Sequence, residues 1–79
     1  MEIKNITGTR GSITVQIDDK TIIITGELTV TPVFYADADS IKNWESPHEN
    51  AKISEDDKLE IIRLIEEKTK DAKVPIVFD

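Results

Sequence analysis

Two runs of β-branched residues, Ser12 to Ile17 and Thr21 to Thr25, are separated only by Asp18, Asp19 and Lys20. In the first run Ile13, Val15 and Ile17 alternate with Ser12, Thr14 and Gln16, the period-two pattern of a strand with one buried face. A polar break this short predicts an antiparallel hairpin. Gly26 interrupts the second run but keeps its parity, since Ile22, Ile24, Leu28 and Val30 all fall at even positions. That predicts one long strand bent at the glycine, or two strands meeting at a bulge. Pro32 ends the run because it has no N–H for a central ladder. Ile3 and Ile6 predict a short opening strand, Gly8 and Gly11 a turn carrying Arg10, and Val33-Phe34-Tyr35-Ala36 a further short strand.

The second half of the chain changes period. Ile61, Ile62, Ile65, Thr69 and Ala72 recur on one helical face, flanked by Leu59 and Leu64. Ser54 is placed as an N-cap, with Asp57 three residues on in the relation of a capping box. Glu55, Asp56 and Asp57 meet the positive end of the helix dipole, and Lys68, Lys70 and Lys73 meet the negative end. Val74-Pro75 stops the helix. Ile76-Val77-Phe78 then predicts a last strand, with Pro75 marking an edge or a strand start. The expected architecture is α+β: an antiparallel sheet of four to five strands, one long helix over about 54–72 packed on one face, and a short C-terminal strand. With 79 residues the chain is expected to form a single domain, 1–79. It has no cysteine, so aliphatic burial must hold it together.

Charge is unevenly spread. Asp37, Asp39, Glu45, Glu49, Glu55, Asp56 and Asp57 fall within 37–57, opposed only by Lys42 and Lys52, so this stretch carries −5 of the formal −6. Such a patch repels phosphate backbones and attracts basic surfaces over roughly a Debye length, ~8 Å at physiological salt. Direct nucleic-acid binding is therefore not expected. The only tryptophan, Trp44, lies inside the stretch, and the only tyrosine, Tyr35, just before it. Asp39-Ser40 is suited to capping a short helical turn through Ile41 and Trp44, and equally to an extended path. Trp44 fits either a core position closing the sheet or an interface anchor. Ser46 to Asn50 is turn chemistry.

Catalytic and metal-binding patterns are missing. His48, the only histidine, sits beside Pro47 in a polar loop with no serine or cysteine nucleophile pattern nearby, and reads as a solvent-exposed loop residue. Asp37-x-Asp39 fails the calcium-loop template, because Ile41, Lys42 and His48 stand where an oxygen ligand, a glycine and a glutamate are needed. No spacing singles out a carboxylate pair for hydrolysis. Gly8-Thr9-Arg10-Gly11 lacks the longer glycine-rich run and lysine of a phosphate loop and reads as an interstrand loop, with Arg10 still a candidate binding residue. No enzyme, metal or cofactor is expected. The N-terminus has no apolar signal segment and no run is long enough to cross a bilayer, which predicts a cytoplasmic protein with no membrane contact.

Read in order, Thr9-Arg10-Gly11-Ser12-Ile13, the hairpin, Val33-Phe34-Tyr35, Asp39-Ser40-Ile41-x-x-Trp44-x-x-Pro47, and Ile53-Ser54 with acids opening a helix resemble the bacterial immunity protein 74 family. The resemblance spans nearly the whole chain. It implies a small cytoplasmic bacterial protein that neutralises a toxin of a polymorphic or contact-dependent growth-inhibition system, by binding and without chemistry of its own. The implied partner is a cognate toxin C-terminal domain, basic because its substrate is a polyanion, and thus a ribonuclease or deoxyribonuclease. Asp37, Asp39, Trp44, Glu45 and Glu49 are the expected contacts, with Tyr35 and His48 as secondary ones. The alternative is a non-catalytic adaptor or self-associating module that uses its open sheet face, with Ile23 upon it. A monomer or weak homodimer fits both readings.

Overall fold

A computed structural model describes residues 1–79. Five strands form one sheet in the order β1-β2-β3-β4-β5: β1 is Ile3–Gly8, β2 Ser12–Ile17, β3 Lys20–Leu28, β4 Phe34–Ala36 and β5 Ile76–Phe78. A 3-10 turn, Ala38–Ser40, follows β4, and one helix, α1, spans Glu55–Thr69. The fold class is the expected α+β. The pairs from β1 to β4 are antiparallel, whereas β5 lies parallel to β4. The long return through α1 makes this possible, because a parallel neighbour needs a crossover and a tight turn cannot supply one.

The predicted hairpin is β2–β3, with Ile17 opposite Lys20 across the Asp18-Asp19 turn. Asp18 takes φ 54°, the left-handed region that aspartate tolerates better than most side chains. Beyond Gly26 the strand continues without a bulge, pairing Gly26, Glu27 and Leu28 with Ala36, Tyr35 and Phe34. The glycine is there for space. A Cβ at this position would lie 2.9 Å from the Cα of Ala36 and collide with the Tyr35 carbonyl and the Phe34 ring. The even-numbered parity holds at Ile22 and Ile24, which are fully buried, and lapses at Leu28 and Val30, which are exposed where the strand ends.

The core is mostly isoleucine. Ile13, Val15 and Ile17 from β2 and Ile22 and Ile24 from β3 meet Ile61 and Ile65 of α1, with Phe34, Ala36 and Ile76 closing the far end. The helix begins as its sequence demands. Ser54 Oγ accepts from the Asp57 N–H at 3.0 Å, and the Asp57 carboxylate accepts from the Ser54 N–H at 3.5 Å. It ends at Thr69, short of 72, so Ala72 is exposed. Thr69 is committed to the turn back. Its hydroxyl donates to the Ile65 carbonyl at 2.8 Å and accepts from the Ile76 N–H at 3.1 Å. Glu66 accepts from the Phe78 N–H at 3.1 Å. Side chains of α1 thus close the outer edge of β5, and Pro75 stands at the strand start.

Gly26→Ala should destabilise the fold by about 3 kcal/mol or more, since the colliding atoms are largely backbone. Ser54→Ala removes one cap bond and should cost only about 1 kcal/mol. Urea unfolding followed by Trp44 fluorescence measures both; the ranking fails if Ser54→Ala costs more.

Candidate interaction surface

β4 is only three residues long and covers just the C-terminal end of the β3 edge. The chain after it covers the rest. The Asp37 N–H donates to the Thr25 carbonyl at 2.8 Å, the Thr25 N–H donates to Ser40 Oγ at 3.1 Å, and the Glu45 N–H donates to the Thr21 carbonyl at 2.8 Å. His48 Nε2 then lies 3.7 Å from Asp19 Oδ2 at the hairpin tip. Residues 37–48 therefore run along β3 from Thr25 to Asp19, a path of ~20 Å at the usual rise per residue. The route is neither helix nor strand beyond the 3-10 turn. Asp37 starts that turn by accepting from the Asp39 N–H at 2.9 Å, while Ser40 Oγ donates to the Asp37 carbonyl at 2.7 Å.

Two apolar side chains peg this segment into the core. Ile41 is 5% exposed and Trp44 6% exposed. The indole is therefore an interior residue, and of the two roles open to it the structure places it in the core. Lys20 Nζ sits 6.0 Å from its ring centroid. With the pegs turned inward, Asp37, Asp39, Glu45 and Glu49 are all left exposed. Asp39 has a counter-ion, Lys58 Nζ, at 3.8 Å. Asp37 is spent in part on its turn. Glu45 and Glu49 are in no ion pair. A hydrogen bond from Ser46 holds the Glu49 carboxyl below the usual carboxylate range, and the nearby Lys20 ammonium does the same for Asp19. Both stay ionised into mildly acidic solution. The acids at the helix start, Glu55, Asp56 and Asp57, serve the cap and the dipole.

The fold adds groups that are remote in sequence. Asp18 and Asp19 join the strip at the His48 end. At the other end Tyr35 is 42% exposed on the open face of the sheet, between Glu27 on β3 and Val77 on β5 in register. Asp79 is held beside it by its N–H bond to the Ala36 carbonyl, 3.0 Å. Strand pairing brings Glu27 opposite Tyr35 and Asp79 to the end of β4. Only their alternation with buried neighbours hinted at this, and without the register it had no address. His48, expected to be solvent-exposed, is half-buried because its ring lies against Asp19 of the hairpin tip, and no group of three or more histidine, cysteine or carboxylate side chains is placed to hold a metal ion. No helix is long and apolar enough to cross a membrane.

The family model of immunity protein 74 matches residues 5–79. The chain belongs to the immunity protein 74 family. It is thus an immunity protein, whose partner is a toxin. No curated protein and no solved structure matches it. Within this immunity protein the segment Ser40-Ile41-x-x-Trp44-x-x-Pro47 is the β3 edge cover. Its apolar members are the pegs, and the acids on either side of them, Asp39 and Glu45, face outward.

Trp44→Ala should cost about 3–5 kcal/mol of stability, the usual result of emptying a buried aromatic site. Tyr35→Ser should cost under about 1 kcal/mol, as for an exposed position. Paired thermal melts test this, and equal losses would contradict the placement of the two rings.

Proposed function

We propose that this immunity protein neutralises a basic toxin domain, a ribonuclease or deoxyribonuclease of a contact-dependent growth-inhibition system, by stoichiometric binding in the bacterial cytoplasm. The observation that carries the reading is the row of outward carboxylates along the β3 edge, most of them free of internal counter-ions. A nuclease cleft is electropositive because it must hold phosphates. A ~20 Å strip of carboxylates, with the rise per residue of a strand, offers it an alternative polyanion. Asp37, Asp39, Glu45 and Glu49 would make the charged contacts, with Asp19, Glu27 and Asp79 extending them. Tyr35 is the exposed aromatic beside them, and His48 lies against the hairpin tip. Trp44 acts here from within, fixing the path of the strip. The protein supplies no chemistry in this scheme.

The expected toxin is a small basic domain ending the large secreted protein encoded immediately upstream. Reversing Asp39, Glu45 and Glu49 together to lysine should slow association with it by about 10²-fold at low salt and flatten the salt dependence. Stopped-flow measurements at several ionic strengths give both quantities, with a thermal melt to check folding. Neutralisation that survives the triple reversal unaltered would remove the strip as the docking surface.

A second reading rests on the open sheet face, where Ile23 is 43% exposed opposite Thr14. A module that self-associates through this face should show dimer alone in sedimentation over a wide concentration range. The toxin-binding reading expects monomer, or weak dimer at most.

A further inference from the structure

The sheet curls so far that its two edge strands, β1 and β5, line one cleft of about 420 Å³. Its first wall is the unbroken run Ile6 to Arg10, residues of both parities, so the cleft follows the edge of β1 and not one face. Leu28 and Phe34 form the floor, and Val74 and Ile76 the opposite wall. Arg10 is the only charged residue in the lining, and it belongs to no ion pair in the molecule.

The edge of β1 is open along this stretch. The Thr9 N–H donates to the Ser12 carbonyl at 2.8 Å, and Thr7 lies opposite Thr14. In an antiparallel ladder the bonded residues alternate, so Thr7 and Thr9 point their backbone groups at β2 while Ile6 and Gly8 point theirs into the cleft. The other edges are managed. Glu66 and Thr69 cap β5, and residues 37–48 cover β3. On β1 itself the usual guards, a bulge and a lysine, sit at the start, between Ile3 and Asn5 and at Lys4. Nothing comparable protects Ile6 to Gly8.

We infer that this cleft receives an extended segment of the toxin as an added strand on β1, with an apolar side chain seated over Leu28 and Phe34 and a carboxylate paired with Arg10. The partner's chemistry follows from the lining: backbone donors and acceptors from an extended chain, an aliphatic or aromatic side chain for the floor, and an acid for the lone guanidinium. A second copy of this chain fits less well, because two molecules of formal charge −6 repel each other. The toxin as partner is taken from the proposed function, on which this inference rests. The cleft lies at the opposite end of β3 from the hairpin tip, so the two surfaces can be tested separately.

The experiment is amide hydrogen exchange on the full chain, free and saturated with the upstream-encoded toxin domain, together with the dissociation rate of Arg10→Gln. The Ile6 and Gly8 amides should exchange rapidly in the free protein and become protected in the complex. Arg10→Gln should raise the dissociation rate about tenfold while leaving association, which the strip would govern, within about twofold. A complex in which the Ile6 and Gly8 amides stay unprotected overturns this inference and leaves the strip reading standing. Protection of those amides in the protein alone, growing with its concentration, would assign the cleft to a second copy. Failure to form any complex defeats the toxin-binding reading, and this one with it.

Discussion

Strand β3 has to find hydrogen-bond partners on both sides, and β4 is too short to supply one side. A buried backbone N–H or carbonyl left unpaired costs as much as a lost hydrogen bond, so the edge between Asp19 and Thr25 must be covered by something. The chain covers it with residues 37–48, which bond β3 only at intervals, at Thr25 and Thr21. Sparse bonding needs other fixings, and Ile41 and Trp44 provide them by reaching past the edge into the core. The bare Cα of Gly26 permits the whole arrangement. It lets β4 approach closely enough to pair, and so starts the following segment on the line of the β3 edge.

This dependence explains what could be read from the sequence. The hairpin and the helix announce themselves by period and by end chemistry, both local properties: Ile13, Val15 and Ile17 for one, Ser54 with Asp57 for the other. The family resemblance was carried by the same local segments, together with the stretch around Trp44. The path of 37–48 could not be decided, because Ile41 and Trp44 are spaced equally well for a helical turn or an extended run, and the arbiter is an edge elsewhere in the chain. The direction of β5 had the same difficulty. Three apolar residues do not specify parallel or antiparallel pairing, and the hydroxyl of Thr69 that fixes the return read only as part of a helical face. The acids of the candidate surface were legible within 37–57, but Glu27 reaches Tyr35 only through register, and Asp79 reaches the end of β4 only through the pairing of β5.

The acids divide by what the fold asks of them. Asp57 completes a capping box, Glu55 and Asp56 sit at the helix dipole, and Asp37 opens a turn, so each has a local structural reason to be acidic. Glu60 and Glu67 are matched by Arg63 on the outer face of α1. Glu45 is in no ion pair and serves no turn or cap, and Glu49 has only its hydrogen bond from Ser46. Both are exposed towards the hairpin tip, where Asp18 is paired with the N-terminal ammonium and Asp19 with Lys20. A basic partner would give these exposed carboxylates the counter-charge that the fold leaves out.

Charge of this kind accelerates encounter but contributes less to the lifetime of a complex, which depends on a few desolvated apolar anchors. Along the strip Tyr35 is the one exposed aromatic side chain, because the indole that would otherwise serve is committed to the core. The apolar surface available for anchoring lies instead in the cleft around Leu28 and Val74. There an open strand edge adds backbone bonds to the apolar contact, and a single unpaired arginine adds direction. Guiding and holding the partner would then fall to two different surfaces. The edge of β1 would stay open despite its aggregation hazard, because closing it would remove the surface suited to holding.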